Sequence, residues 1–372
     1  MHRECAGSLR CGVSICVFHC FCTQWALGEG EHMKASEVVA IDGMGGDNAP
    51  AAVMRGVSRF ASSPYHFIIF GDKNKLDQYP LPPNVSHEIR HTEIVITSDM
   101  EVMSALRSGK KSSMGLAIQS VESGEAQAVI SSGNTGLYMA LAKIILKTMD
   151  GIDRPAIASV IPGKNGRSVC LDLGANAESN VKNMLDFAIM GEALAQSIFN
   201  KEKIKLALLN IGSEEIKGSR LVKRTSEILK KFLDNYVGFV EGDDFGKGNV
   251  DVIVTDGFTG NVALKTIEGT AKYIASELRA ALGSSPLAKI GALLAMTSLS
   301  RFRNKMDPRL YNGAILVGLR GVVVKSHGNS DEIGFANALR FTMDILNNSI
   351  FNQIQKQLEK SKLHYNSEDC RS

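Results

Sequence analysis

Several apolar runs in this sequence end in glycine-rich segments that open a helical pattern, and these segments hold most of the residues able to do chemistry. The first is Asp42-Gly43-Met44-Gly45-Gly46-Asp47-Asn48-Ala49-Pro50. Glycines directly after a strand let the backbone approach a phosphate at the next helix N-terminus. The spacing is not that of a dinucleotide fingerprint, whose third glycine would fall on Asn48. By itself the segment fits a phosphate loop or a plain tight turn. The second is Ser131-Ser132-Gly133-Asn134-Thr135-Gly136, where Asn134 or Thr135 can cap the helix while free N–H groups face outward. The third is Asp256-Gly257-Phe258-Thr259-Gly260-Asn261, with Lys265 one turn later. The fourth is Lys325-Ser326-His327-Gly328-Asn329-Ser330-Asp331, behind Val322-Val323-Val324. One such loop is ordinary. Four of them, all at C-terminal ends of strands, would converge on one edge of an α/β sheet and form an anion site.

Two further stretches carry polar groups at strand ends. Leu171-Asp172-Leu173-Gly174-Ala175-Asn176 has a carboxylate and an amide at its lip. Asn210-Ile211-Gly212-Ser213-Glu214-Glu215-Ile216-Lys217-Gly218 is expected to put Lys217 in the first turns of a helix. Lysine there opposes the helix dipole. Lys217 is therefore either a surface charge or the cationic ligand of a bound anion. Other chemistries drop out. Gly246-Lys247 lacks the spacing and the hydroxyl of a nucleotide-binding P-loop, and no H-E-x-x-H or G-x-S-x-G occurs. Cys170, between Val169 and Leu171, reads as a buried core thiol. His66, His87 and His91 lie outside the loops and read as structural or surface residues, which leaves His327 as the one histidine in a candidate site.

The elements that must hold these loops follow from periodicity. Strands are expected at 38–42, 67–71, 85–90, 128–131, 157–161, 168–173, 205–210, 237–241, 251–255 and 322–325. Helices are expected at 111–123, 134–148, 180–199, 214–234, 259–281 and 331–360. Alternation of the two predicts βα units around a mostly parallel sheet. Between 283 and 306 the rhythm breaks. Leu287, Ile290, Leu293, Leu294, Met296 and Leu299 form an apolar stretch flanked by Lys289, Arg301, Arg303 and Lys305, with no obvious strand until Ala314. It reads as a helical excursion that packs on a partner subunit or touches a membrane surface.

Length and composition set the bounds. A chain of 372 residues can bury a substantial core in one large or two ordinary domains. With 44% hydrophobic and 22% charged residues, disordered and fibrous classes are excluded. A net charge of +3 is too small for a nucleic-acid footprint. No apolar run reaches the length of a spanning helix, so the expectation is a soluble or peripheral protein. Five of the seven cysteines (Cys5, Cys11, Cys16, Cys20, Cys22) lie in the first 22 residues at spacings that match no zinc pattern; His2 and His19 nearby leave a metal site open. The apolar stretch Val13–Phe21, interrupted by His19 and followed by no A-x-A site, offers a signal peptide as a second reading. Residues 1–32 read first as an extension ahead of a domain at 33–360, with a polar tail at 361–372.

As a set, the segments AIDGMGGDNAP, ISSGNTG, CLDLGANAE, LLNIGSEEIKG, VDVIVTDGFTGNVALKTIEG and GVVVKSHGNSD resemble the PlsX phosphate acyltransferases, over about residues 38–340. Gly43 and Asn48 depart from the usual Ala and His, and the acidic loop VEGDDFGKGNVD differs in detail. The resemblance implies a three-layer α/β/α fold related to phosphotransacetylase and the isocitrate/isopropylmalate dehydrogenases, as a homodimer. It implies transfer of a fatty acyl group from acyl-carrier protein to inorganic phosphate, without a cofactor or metal. The acyl-phosphate would pass to a membrane glycerol-3-phosphate acyltransferase for phospholipid synthesis, from a cytoplasmic enzyme peripherally associated with the inner face of the membrane. Phosphate is then the nucleophile, and the site must orient it and stabilise an oxyanion. Lys217, Asn261 and His327 fall in the catalytic roles. Phosphate and substrate contacts fall to Asp42, Gly45, Gly46, Asp47, Gly133, Asn134, Thr135, Gly136, Asp172, Asn176, Asp256, Gly260, Ser326 and Gly328. The rival readings are a phosphotransacetylase-like enzyme for short acyl-CoA, a metal- and NAD-dependent decarboxylating dehydrogenase, and a non-catalytic scaffold. The dehydrogenase needs carboxylate and Arg clusters that these Gly/Asn-rich motifs do not offer.

Overall fold

The computed structural model describes residues 37–97, 100 and 107–362. Its strands are β1 Val38–Asp42, β2 His66–Gly71, β3 His87–His91, β4 Ala128–Ser131, β5 Ala156–Pro162, β6 Arg167–Leu171, β7 Leu206–Leu209, β8 Tyr236–Val240, β9 Val252–Val254, β10 Ala314–Val317 and β11 Val322–Lys325. The helices are α1 Ala51–Val57, α2 Lys73–Leu76, α3 Ser113–Glu122, α4 Thr135–Leu146, α5 Val181–Phe199, α6 Arg220–Phe232, α7 Gly257–Gly283, α8 Pro286–Leu294, α9 Met296–Met306, α10 Glu332–Asn347 and α11 Ile350–Lys362.

The strands form one sheet in the order β3-β2-β1-β4-β11-β10-β5-β6-β9-β7-β8. Alternation along each strand sends side chains to two apolar layers. Val39, Ile41, Ile130 and Val324 meet α1, α5, α10 and α11 on one face. Ala40, Val129, Val323 and Ile253 meet α3 and α4 on the other. Helices on both faces of a mostly parallel sheet make the expected three-layer α/β/α arrangement. Burial of each large core side chain, such as Phe187 or Phe335, contributes roughly 1.5–3 kcal/mol.

The topology overturns one expectation. β10 pairs antiparallel with β11 and with β5, and β5 pairs antiparallel with β6. Three reversals leave β6, β9 and β7 running against β1, β4 and β11. The four glycine-rich loops therefore do not share one edge: three leave from the ends of β1, β4 and β11, and the loop after β9 leaves from the other.

Smaller differences have local causes. Asp172 and Leu173 leave strand β6, because the Asp172 carboxylate gathers the N–H groups of the following loop. Residues 214–219 are not helical: the chain turns at Gly218, at φ +99°, and Ser219 caps α6 by accepting from the Val222 N–H. Lys217 thus precedes the helix. The expected helix at 331–360 is two, α10 and α11, separated where Ser349 adopts φ +49°. Residues 286–306 form the helical pair α8–α9. Residues 1–32 and most of the polar tail lie outside the described residues, and so do their cysteines and His2 and His19.

Candidate active site

The first edge is built from a polar row that the register dictates. Ile41 pairs with Ile130, and Lys325 pairs with Ser131. Asp42, Ser131 and Lys325 therefore end three adjacent parallel strands on the same face of the sheet. Asp42 is buried and accepts hydrogen bonds from the Ser113 hydroxyl at 2.7 Å and the Ser131 hydroxyl at 2.6 Å. Burial pushes its carboxyl above the ordinary range, against the lowering effect of those two bonds and of the Met44 and Gly45 N–H groups. Gly45 packs directly on this row. A Cβ there would stand 2.8 Å from both the Gly133 nitrogen and the Ser131 hydroxyl, so only glycine lets the two loops meet.

The loop after β11 closes the cluster. The Asp47 N–H donates to the Gly328 carbonyl at 2.8 Å, and the Asn48 side chain donates to the Asn329 and Ser330 carbonyls. Asn312 organises the loop from beneath. Its amide nitrogen donates to Ser326, Ser330 and Gly334, and its oxygen accepts from the His327 N–H. Asn134 caps α4 by accepting from Leu137, which leaves Thr135 and Gly136 at the surface.

The second edge is held by Asp172. Its carboxylate accepts from the N–H groups of Ile157, Gly174, Ala175 and Asn176 and from the Asn176 side chain. The group is fully buried, and burial raises its pKa against these bonds. The Asp172 carboxylate and the Asn176 amide nitrogen, which also donates to the Pro155 carbonyl at 2.8 Å, are thus engaged in shaping the loop. Asp256 likewise caps α7, accepting from both Thr259 groups. The Asn261 side chain lies over Gly174, where a Cβ would be 3.2 Å from its own, and its amide has no hydrogen-bond partner among the described residues. Lys217 is half-exposed and pairs with Glu214 at 2.8 Å, a hydrogen bond that raises its pKa.

Helix α7 joins the two edges. Asn261, Lys265 and Glu268 recur at i, i+4 and i+7, which puts them on one face of the helix. Lys265 pairs with Glu268 at 2.9 Å, and Glu268 accepts from His327 Nε2 at 2.9 Å. The bond from His327 is the main reason the Glu268 carboxyl is held down at about 2, against partial burial and with help from Lys265. From Asn261 to Glu268 the helix rises about 10 Å. The structure therefore gathers Asp42, Gly45, Gly46, Asp47, Gly133, Ser326, His327 and Gly328 at one edge, and Asp172, Asn176, Gly174, Gly260 and Asn261 at the other. Among the described residues no contact ties Lys217 to either Asn261 or His327; its partner is Glu214.

Ser113 and Asn312 lie outside the quoted motifs, whereas Ser132, Glu268 and Lys325 lie within them without a role of their own. Glu268 had a signal in the spacing of the α7 stripe, and Lys325 in the register of three polar strand ends. Ser113 and Asn312 lie in other segments and had none. Cys170 is fully buried, which pushes its thiol far up and makes it the inert core residue expected. His66 contacts the Ser86 hydroxyl, His87 the Val85 carbonyl, and His91 accepts from the Lys73 N–H; all three serve the β2–β3 end of the sheet.

Residues 37–353 match the family described as "Fatty acid synthesis protein". The chain is 47% identical over 337 residues to the phosphate acyltransferase of Rhodospirillum rubrum, covering 88% of this chain and 96% of the relative. It is 43% identical over 326 residues to that of Pelagibacter ubique, covering 86% and 98%. The chain belongs to the PlsX phosphate acyltransferase family. Like its relatives it is an acyltransferase. Its fold is also similar to a phosphotransacetylase from Streptococcus pyogenes, with a TM-score of 0.55 at 16% identity over 85% of this chain and 94% of that one. The EutD phosphotransacetylase from Staphylococcus aureus gives 0.50 at 14% identity over 84% and 94%. Within the PlsX pattern, the departure at Asn48 has a structural role here: its amide clasps the first loop to the fourth.

Proposed function

We propose that this acyltransferase moves a fatty acyl group from acyl-carrier protein to inorganic phosphate, giving an acyl-phosphate for phospholipid synthesis. The observation that carries the reading is the polar stripe on α7, with His327 and the glycine loops at one end and an unpartnered Asn261 at the other. Attack of phosphate on a thioester needs anion ligands on one side of the forming bond and an oxyanion donor on the other. Two hydrogen bonds of about 2.9 Å, plus the phosphate and carbonyl between them, take up about the 10 Å that the helix provides. The phosphate oxygen adds to the thioester carbon, the carbonyl oxygen takes the charge, and collapse expels the thiolate. In this scheme the first-edge loops hold phosphate, and Asn261 with Lys217 stabilises the oxyanion. His327, fixed by Glu268, gives a proton to the departing sulfur. No cofactor is needed, because phosphate itself is the nucleophile.

The cover of α7–α9 belongs to the same reading. Of α7 only Gly257 and Gly260 are buried, and Phe258, Val262, Tyr273 and Ile274 are exposed. We assign this face to a second copy of the chain. At the tip, Leu287, Leu293 and Leu294 are 79%, 63% and 83% exposed beside Lys289 and Arg301. A short apolar tip with basic flanks suits reversible contact with an anionic membrane. There the acyl-phosphate can pass to a membrane glycerol-3-phosphate acyltransferase. No helix among the described residues is long and apolar enough to cross a membrane. The enzyme would work from the cytoplasm at the inner face of the membrane, with residues 1–32 dispensable.

The donor decides between this and a phosphotransacetylase-like reaction on short acyl-CoA. The test compares kcat/KM for a long-chain acyl-carrier protein and for acetyl-CoA, with orthophosphate as acceptor. Preference for the long-chain carrier by more than 100-fold is expected. Preference for acetyl-CoA would install the rival reading.

A further inference from the structure

The cluster at the ends of β1, β4 and β11 contains a buried ammonium without an ion pair among the described residues and a buried hydroxyl without a hydrogen-bond partner. Lys325 ends β11 and is 8% exposed. Its ammonium donates to the Ser326 carbonyl, and among the described residues it has no ion pair. Asp42 stands two strands away in the same row, but its oxygens are taken up by two serine hydroxyls and the N–H groups of its own loop. A buried ammonium without a contacting counter-ion is costly. Consistent with that, burial pushes the Lys325 pKa down to about 8 even though Asp42 and Asp47 attract its charge; Lys265 on α7 repels it. The second group is Ser132, one residue past the register partner of Lys325. It is 4% exposed, and its hydroxyl oxygen is buried with no hydrogen-bond partner. Gly46 packs against its side chain: a Cβ there would stand 2.8 Å from the Ser132 Cβ and 2.9 Å from the Gly328 carbonyl oxygen.

We propose that Lys325 and Ser132 are the unassigned ligands of one buried oxyanion subsite, which takes orthophosphate. The proposal rests on the phosphate-acceptor reading above and names two residues that hold the acceptor. A tetrahedral dianion between the loops supplies the missing counter-charge to Lys325 and accepts from the Ser132 hydroxyl. The exposed carboxylate of Asp47 accepts the remaining proton of monohydrogen phosphate. Lys325 touches the substrate, whereas Asp42 acts through Ser131 and Ser113 by fixing the loops around it.

The experiment measures orthophosphate binding to the full chain by calorimetry, without acyl donor, together with the KM for each substrate. Lys325→Met should weaken phosphate binding about 100-fold and Ser132→Ala about tenfold, the scale for charged and neutral hydrogen bonds. The KM for the acyl donor should stay within twofold in both. If Lys325→Met does not fold, Ser132→Ala, which removes a single oxygen, decides the matter. Phosphate affinity within twofold of wild type in Ser132→Ala and in any folded Lys325 variant overturns the proposal. A wild-type protein that binds phosphate through these residues but transfers no acyl group to it would refute the acyl-transfer reading and leave the subsite standing.

Discussion

Replacing Lys325 with methionine should make the protein more stable while disabling it. Methionine keeps most of the volume of the lysine stem, so packing changes little. The charge is what differs. A shift from 10.5 to about 8 corresponds to about 3 kcal/mol of cost for holding the ammonium in the folded state. Below about pH 8 the lysine is charged both folded and unfolded, and the whole cost is present. Between about pH 8 and pH 10.5 the unfolded chain binds one more proton than the folded chain, so wild-type stability rises with pH. The methionine variant lacks that rise. Urea denaturation at intervals from pH 7 to pH 10 measures both. The variant should be about 3 kcal/mol more stable at pH 7, and its advantage should shrink steadily toward pH 10. Phosphate-dependent turnover should be lost. A variant less stable than wild type at pH 7, with a gap that does not change with pH, would refute the reasoning. Lys325 would then be the structural counter-ion of Asp42.

Three further outcomes are expected. Lys217→Ala and Asn261→Ala should each lower kcat about 100-fold or more with thermal stability unchanged, the scale for losing one preorganised electrostatic donor; steady-state kinetics and a thermal melt check this. Leu293→Glu with Leu294→Glu should abolish sedimentation with anionic vesicles and leave transfer in solution intact, since burying each leucine in the interface is worth roughly 1.5–3 kcal/mol; a variant that turns monomeric or unfolds instead would assign the tip to the protein's own packing. Starting the chain at Met33 should preserve activity and melting temperature, measured side by side with the full chain.

Most of the strand and helix positions were legible because the apolar periods of 2 and 3.6 are strong in this chain. Val38–Asp42, Ala128–Ser131 and Val322–Lys325 coincide with the runs read from sequence. The sequence signals a strand resuming at Ala314, but the four-residue apolar run Ala314–Val317 carries no sign of its direction, which depends on its neighbours in the sheet. That strand, with β5, reverses the sheet's direction, so the division of the loops between two edges was hidden with it. Lys217 was misplaced for a different reason. Glu214 and Glu215 are good helix formers, but Gly218 at positive φ and the Ser219 cap set the start of α6 later. Loop glycines announce where a backbone comes close. They do not announce which distant side chains brace it, and Ser113 and Asn312 became visible only in three dimensions.

The central claim is that a phosphate oxygen attacks the acyl carbon. Incubation of the protein with long-chain acyl-carrier protein and phosphate labelled with oxygen-18 at all four positions, followed by mass spectrometry of the product, tests it directly. Attack at carbon keeps every phosphate oxygen, so the expected product is an acyl-phosphate carrying all four labels, formed in step with release of the free carrier thiol. Unlabelled free fatty acid, released at a rate independent of phosphate, would contradict the account.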